Sequence, residues 1–230
     1  MFLIKLKQGK LKFDILRKNF SIVLFFLLIV SLILFLNKGA LSQSLFDNFF
    51  SSNKGKIKIV IDPGHGGLDK GLMFPSESYE SNIVLSLAKM ISNKLDKQFD
   101  VFLTRNDDYA SDIIERSGFS NNINPELFIS IHVEKNKIKS CNMSILYFNG
   151  DSTNNNSCSQ QDNKKIAEAF KVSIAEHLNM KVSIKEAPVL ILKTVCAPSI
   201  LIEISYSNNP SDKYLMDVSN GICKGIFSIF

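Results

Sequence analysis

The chain has no internal repeat, which excludes a solenoid or a propeller, and no glycine-rich nucleotide loop, which excludes a phosphate cradle of that kind. Histidine is scarce, with only His65, His132 and His177. The four cysteines, Cys141, Cys158, Cys196 and Cys223, have spacings that match no zinc knuckle or ribbon, so a cysteine metal site is not expected. Most of the chain also lacks net charge. Lys5, Lys7, Lys10, Lys12, Arg17 and Lys18 against Asp14 account for the whole formal charge of +5, and after Lys18 acidic and basic residues balance. Its overall basicity is a property of the N-terminus and gives no argument for nucleic acid as a partner.

Polar residues are almost absent from 20–36, a run with no charge and nearly the length needed to cross hydrocarbon as a helix. The basic residues 1–19 before it place the N-terminus in the cytoplasm. No small-x-small cleavage site follows, because Lys38 occupies the position before Gly39 and Ala40. The expectation is therefore a single-pass inner-membrane anchor, with everything beyond it in the periplasm or cell-wall space. Residues 37–55 read as a linker, and the folded domain spans 56–230. Export permits disulfides, and Cys141 and Cys158 flank one candidate strand and are placed to pair.

What the domain does have is a run at 57–67, Ile-Lys-Ile-Val-Ile-Asp-Pro-Gly-His-Gly-Gly. Ile57, Ile59, Val60 and Ile61 suit the interior of a sheet. Pro63 ends the ladder, and the glycines around His65 allow backbone turns closed to other residues. Leu127–Ile131 repeats the pattern and ends at His132. In open α/β sheets ligands gather at the carboxyl ends of strands, so the two histidines are expected to face one site.

Between and after these runs, helices are expected from Tyr79 to Leu95 and Ser111 to Asn121, and over a third stripe formed by Ile166, Ala169, Phe170, Ile174 and Leu178. Strands are expected at Phe99–Leu103, Met143–Phe148, Val189–Leu192 and Ile200–Ile204, and a last helix lies within Tyr214–Phe230. Strands alternating with helices make this an α/β fold, a twisted and mostly parallel sheet of about six strands between helices. The transmembrane helix precedes it.

An open catalytic zinc site needs three nitrogen or oxygen ligands, a free position, and a carboxylate that moves a water's proton. His65, Glu80 and His132 fill the first requirement, with Glu77 in reserve as an alternative ligand. Glu80 starts a helix directly after the His65 loop and can reach back over the same strand end. Glu203 sits in Ser-Ile-Leu-Ile-Glu-Ile-Ser, where a lone carboxylate among isoleucines is costly unless it is paired or used. It is the candidate general base, taking a proton from water and passing it to the leaving amine. His177, on the polar side of its helix, reads as a surface residue.

The segment from about Lys56 to the end resembles the zinc-dependent N-acetylmuramoyl-L-alanine amidases of the amidase type 3 family. The matching residues are Asp-Pro-Gly-His-Gly-Gly at 62–67, Glu80 with Asn82, Val84 and Leu85, Leu-Thr-Arg at 103–105, Glu115-Arg116, Leu-Phe-Ile-Ser-Ile-His at 127–132, and Ile-Leu-Ile-Glu with Ser207-Asn208 at 200–208. The resemblance implies that His65, Glu80 and His132 bind one zinc ion and that Glu203 is catalytic. It implies as substrate the peptidoglycan amide between N-acetylmuramic acid and L-alanine. Two places depart from the family pattern: Val133 and Glu134 replace a small residue and asparagine after His132, and Ser144 stands where a glutamate is common. The alternatives are a zinc carboxypeptidase acting on stem peptides and an inactive, membrane-anchored peptidoglycan-binding module. Septal members carry a helical insert over the metal. Here the loops 133–143 and 149–163 are too short and polar for one, so the membrane tether is expected to provide the restraint, with no activator protein identifiable.

Overall fold

Ile57–Pro63 forms strand β1, and a computed structural model describes what surrounds it. The described residues are 55–75, 77–135, 143–150, 162–206 and 210–230, with Phe25, Leu28 and Ser31 near the N-terminus. The segment expected to span the membrane therefore lies almost wholly outside them. Among the described residues no helix is long and apolar enough to cross a membrane. Lys56–Phe230 forms one compact unit.

The other elements of that unit are α1 (Glu80–Leu95), β2 (Phe99–Leu103), α2 (Ile113–Ile123), β3 (Leu127–Lys135), β4 (Met143–Tyr147), α3 (Asn163–Leu178), β5 (Val182–Glu186), α4 (Leu190–Thr194), β6 (Ser199–Tyr206) and α5 (Asp212–Phe227). One six-stranded sheet has the order β2-β1-β3-β6-β4-β5. The first four are parallel neighbours, β4 runs antiparallel to β6, and β5 runs parallel to β4. The start of β4 therefore lies beside the end of β6.

Alternation along the strands divides the core in two. Ile59, Ile61, Ile129, Ile131, Ile200, Ile202 and Ile204 point to one face, where α1, α3 and α5 cover them with Leu87, Ile91, Phe170, Ile174, Val218 and Ile222. Each such side chain contributes about 1.5–3 kcal/mol through burial. Val60, Phe128, Leu146 and Leu201 point to the other face, where Ile191 and Leu192 of the short α4 pack on them. This second cluster is the smaller. By the same alternation Asp62, Ser130, His132 and Glu203 belong to that lightly covered face, beyond its apolar patch.

The sheet has the expected number of strands, but one was misplaced. Val189–Leu192 is not a strand; it leads into α4, in which Leu190 is 53 % exposed while Ile191 and Leu192 are buried. Four apolar residues after Pro188 fit either state by periodicity alone. The sixth strand is β5, where Val182 and Ile184 alternate with Ser183 and Lys185. Its polar residues and its place at the sheet margin suit an edge strand. Helix α2 starts two residues late because Asp112 caps it, accepting from Glu115 N while the Glu115 carboxylate accepts from Asp112 N.

Cys196 is disulfide-bonded, and Cys223 is a free buried thiol whose pKa burial pushes up to about 11. The Cys141–Cys158 pairing falls outside the described residues. His177 is partly buried, with its ring close to Gly221 of α5.

Candidate metal centre

The centre begins with the turn after β1. Gly64 N donates to Ile131 O at 3.0 Å, so pairing with β3 continues one residue past the proline. His65 takes φ +58 and Gly66 φ +131, which turns the chain sharply back over the strand end. A Cβ on Gly64 would lie 2.3 Å from the His132 ring, so only glycine lets that imidazole rest against the turn. A Cβ on Gly71 would lie 2.6 Å from Glu80 Oε2 and 2.7 Å from the His65 ring. Both glycines are dictated by close approach to ligands.

Three backbone carbonyls in this turn are held from below by two arginines. Arg105, fully buried, donates to Pro63 O, Gly64 O and Ser81 O at 2.8–2.9 Å. Arg116 donates to Pro63 O at 2.8 Å and His65 O at 2.7 Å. It also pairs with Asp62 Oδ1 at 2.7 Å, and Asp62 accepts from Thr104 Oγ1 and Ser130 Oγ as well. Buried charge is tolerated here because carbonyls and one carboxylate satisfy it. Burial moves Arg105 down from its ordinary pKa. The motif residues Thr104, Arg105 and Arg116 are thus the brace beneath His65, a role the sequence alone did not supply.

His65, Glu80 and His132 meet above this floor, with one ligand atom from each within 4.8 Å of the others. Glu80 Oε1 lies 3.2 Å from His65 Nε2 and 3.1 Å from His132 Nδ1. Tetrahedral bonds of about 2.0–2.1 Å put neighbouring ligand atoms about 3.3 Å apart, close to the two distances from Glu80. Its remaining hydrogen bonds fit the same use. Glu80 accepts from Val133 N at 2.9 Å and Leu72 N at 3.0 Å, which fixes its carboxylate. Burial favours the neutral acid of Glu80, but bonds from His132, His65 and the two backbone amides outweigh it and hold the group well below the usual carboxylate range.

Asp69 Oδ2 lies 2.8 Å from His65 Nδ1, while its Oδ1 accepts from Gly71 N. A carboxylate can only accept here, so Nδ1 carries a proton, and Nε2 is the ring atom turned toward the centre. The bond to Glu80 is the largest influence on the His65 pKa, which is raised despite burial. Asp69 was missed at the sequence level. Its signal was a carboxylate four residues after a histidine in a glycine turn. Glu77 does not join the cluster; it is exposed, at φ +58, in the turn before α1.

Glu203 stands beside His132 in the register of β6 on β3. It lines a depression with His65, Glu80 and His132, and among the described residues its carboxylate makes no hydrogen bond. Burial is the main reason its pKa is raised, and the charge of Glu134 adds to it. Across the next strand, Ser144 faces Glu203 from β4. His65 and His132 are 23 % and 28 % exposed, so the cluster opens to solvent.

Two histidines and a glutamate around one point, with a free approach and a carboxylate beside them, form a group in this α/β domain that could hold a metal ion. Known proteins narrow this. A family profile described as N-acetylmuramoyl-L-alanine amidase matches residues 59–226, and the chain belongs to that family. Staphylococcus epidermidis has a relative named "Probable cell wall amidase LytH", 31 % identical over 177 residues, covering 74 % of this chain and 55 % of the relative. The chain thus spans about half the length of that relative. N-acetylmuramoyl-L-alanine amidase AmiA of Escherichia coli is 23 % identical over 222 residues, covering 76 % and 77 % of the two chains. A crystal structure of an N-acetylmuramoyl-L-alanine amidase from Clostridium difficile superposes with a TM-score of 0.65 at 25 % identity, covering 76 % of this chain and 97 % of the other.

Proposed function

We propose that this chain is a zinc-dependent N-acetylmuramoyl-L-alanine amidase that hydrolyses the peptidoglycan amide between N-acetylmuramic acid and L-alanine. The observation that carries the reading is the His65, Glu80 and His132 cluster with Glu203 beside it, in a chain of that family. His65, Glu80 and His132 would hold one zinc ion through two imidazoles and a carboxylate whose orientation is already fixed. When bound, zinc polarises the scissile carbonyl and acidifies the attacking water.

Glu203 takes a proton from that water as its oxygen bonds to the acyl carbon. It then hands the proton to the nitrogen as the carbon–nitrogen bond breaks. The products are a muramoyl carboxylate and a peptide with a free amino end. The raised Glu203 pKa brings the group nearer to neutrality, which suits one that must both accept and release a proton. Asp69 keeps the His65 tautomer in place throughout.

The 20–36 run and the basic residues before it support a second part of the proposal, an inner-membrane anchor with the domain in the periplasm or cell-wall space. Digestion of purified peptidoglycan tests the activity. Chelator-sensitive release of intact peptides beginning with L-alanine is expected, whereas loss of carboxyl-terminal residues alone would point to a carboxypeptidase.

A further inference from the structure

The metal centre lies between two recesses of opposite character. The first, about 600 Å³, runs from His65 and His132 between the start of α2 and α4. Its wall is apolar: Ile113, Ile114 and Leu190 are 38 %, 77 % and 53 % exposed, with Val189 and Leu201 behind them. Its charged groups include Asp69 and Asp112, while its one cation, Arg116, is already held by Asp62 and the carbonyls of Pro63, Ser111 and His65.

The second recess, about 480 Å³, lies over β6, β4 and β5 and is lined by Glu134, Ser144, Leu146, Ser183, Lys185 and Glu203. Register places His132, Glu203, Ser144 and Ser183 in one row straight across four strands. Ser144 Oγ and Ser183 Oγ are 3.0 Å apart, and each hydroxyl retains capacity for another bond. Lys185 lies one step along, beside Leu146. Glu203 belongs to this recess and not to the first.

That asymmetry gives the substrate a direction. A base that delivers its proton to the leaving nitrogen must be within hydrogen-bond reach of it. The nitrogen therefore lies on the Glu203 side, and the chain attached to it continues over the β6-β4-β5 shelf. We infer that this shelf binds the peptide released by the reaction, with Ser144 and Ser183 bonding its backbone and Lys185 meeting a peptide carboxylate. The acyl half, with its uncharged sugar and methyl groups, occupies the apolar cleft between α2 and α4. A peptide carrying carboxylates meets acidic groups in both recesses, but finds an available cation only on the shelf, where Lys185 stands with Glu134 and Glu203. This inference rests on the amidase reading, because the direction follows from an amide nitrogen as the leaving group.

Photo-crosslinking of the full chain tests the placement without requiring turnover. The probe is a tripeptide that begins with L-alanine, has an acidic second residue and carries a diazirine on its third. Adducts that unlabelled peptide suppresses are expected on β4 and β5. Lys185→Glu is expected to weaken binding of this peptide about fivefold, the scale of an exposed charge contact, and to leave a peptide amidated at its carboxylates unchanged. Adducts at Ile113, Ile114 or Leu190, or no suppressible adduct at all, would overturn the inference. Peptidoglycan digestion by the same preparation separates the two readings. Release of peptide together with adducts on α2 or α4 would sink the placement alone. Adducts on β4 and β5 without any release would sink the amidase and leave the docking shelf standing.

Discussion

The His65 side of the site and the Glu203 side are built in opposite ways. Around His65, two arginines pin the carbonyls of residues 63–65, Asp69 fixes the ring, and two backbone amides fix Glu80. Around Glu203 the carboxylate stands without a hydrogen bond among the described residues, on a strand face that no helix of the larger core covers. A metal site needs ligand positions held to a few tenths of an ångström, so the structure over-determines them. The proton carrier proposed at Glu203 has to serve two atoms in turn and gains from being unbound. Rigidity and freedom are thus assigned to different strands of one sheet.

The difference can be broken from either side. On the rigid side, Glu80→Gln removes the anionic ligand, and one metal ion per chain is expected to fall to near zero with activity lost, read by elemental analysis. On the free side, Glu203→Gln is expected to lower the hydrolysis rate by about 10²–10⁴-fold, the usual worth of a general base, measured as peptide released per unit time. Arg116→Met tests the brace. It leaves Asp62 buried without its cation, at a cost of about 3–5 kcal/mol, visible as a lowered denaturation midpoint. Asp69→Ala frees the His65 ring and is expected to weaken metal binding about 10–100-fold in a chelator competition.

The smallest expected effect sharpens the comparison on the free side. As the proposed base, Glu203 must be ionised to accept a proton, and burial with the Glu134 charge raises its pKa. Activity therefore falls as pH drops through that raised value. Glu134→Gln removes one of the causes that raise it, so the acid limb of kcat/KM is expected to move to lower pH, read from a pH–rate profile. A limb that moved upward, or stayed fixed, would remove Glu134 from the account.

The rigid side was also the more legible in the sequence. His65, Glu80 and His132 could be placed together because each follows a strand end or opens the next helix, and such positions converge in a parallel sheet. Glu203 stood out as a carboxylate in an apolar strand. What escaped was set by contacts distant along the chain. Arg105 and Arg116 read as motif residues without a task, because their partners are backbone carbonyls that no residue type announces. β5 escaped because an edge strand with Lys185 and Ser183 shows few apolar residues, while Val189–Leu192 shows four and is not a strand. The shelf of Ser144 and Ser183 depends on register across β6, β4 and β5, and register is invisible until the strands are paired.

Metal content and peptide release, measured side by side on the wild-type chain, His132→Ala and Glu203→Gln, test the central claim most directly. One bound ion and release of L-alanine peptides are expected for the wild type, neither for His132→Ala, and a bound ion without release for Glu203→Gln. Loss of the ion in Glu203→Gln, or full activity in either variant, would contradict the separation of a braced metal cradle from a free base.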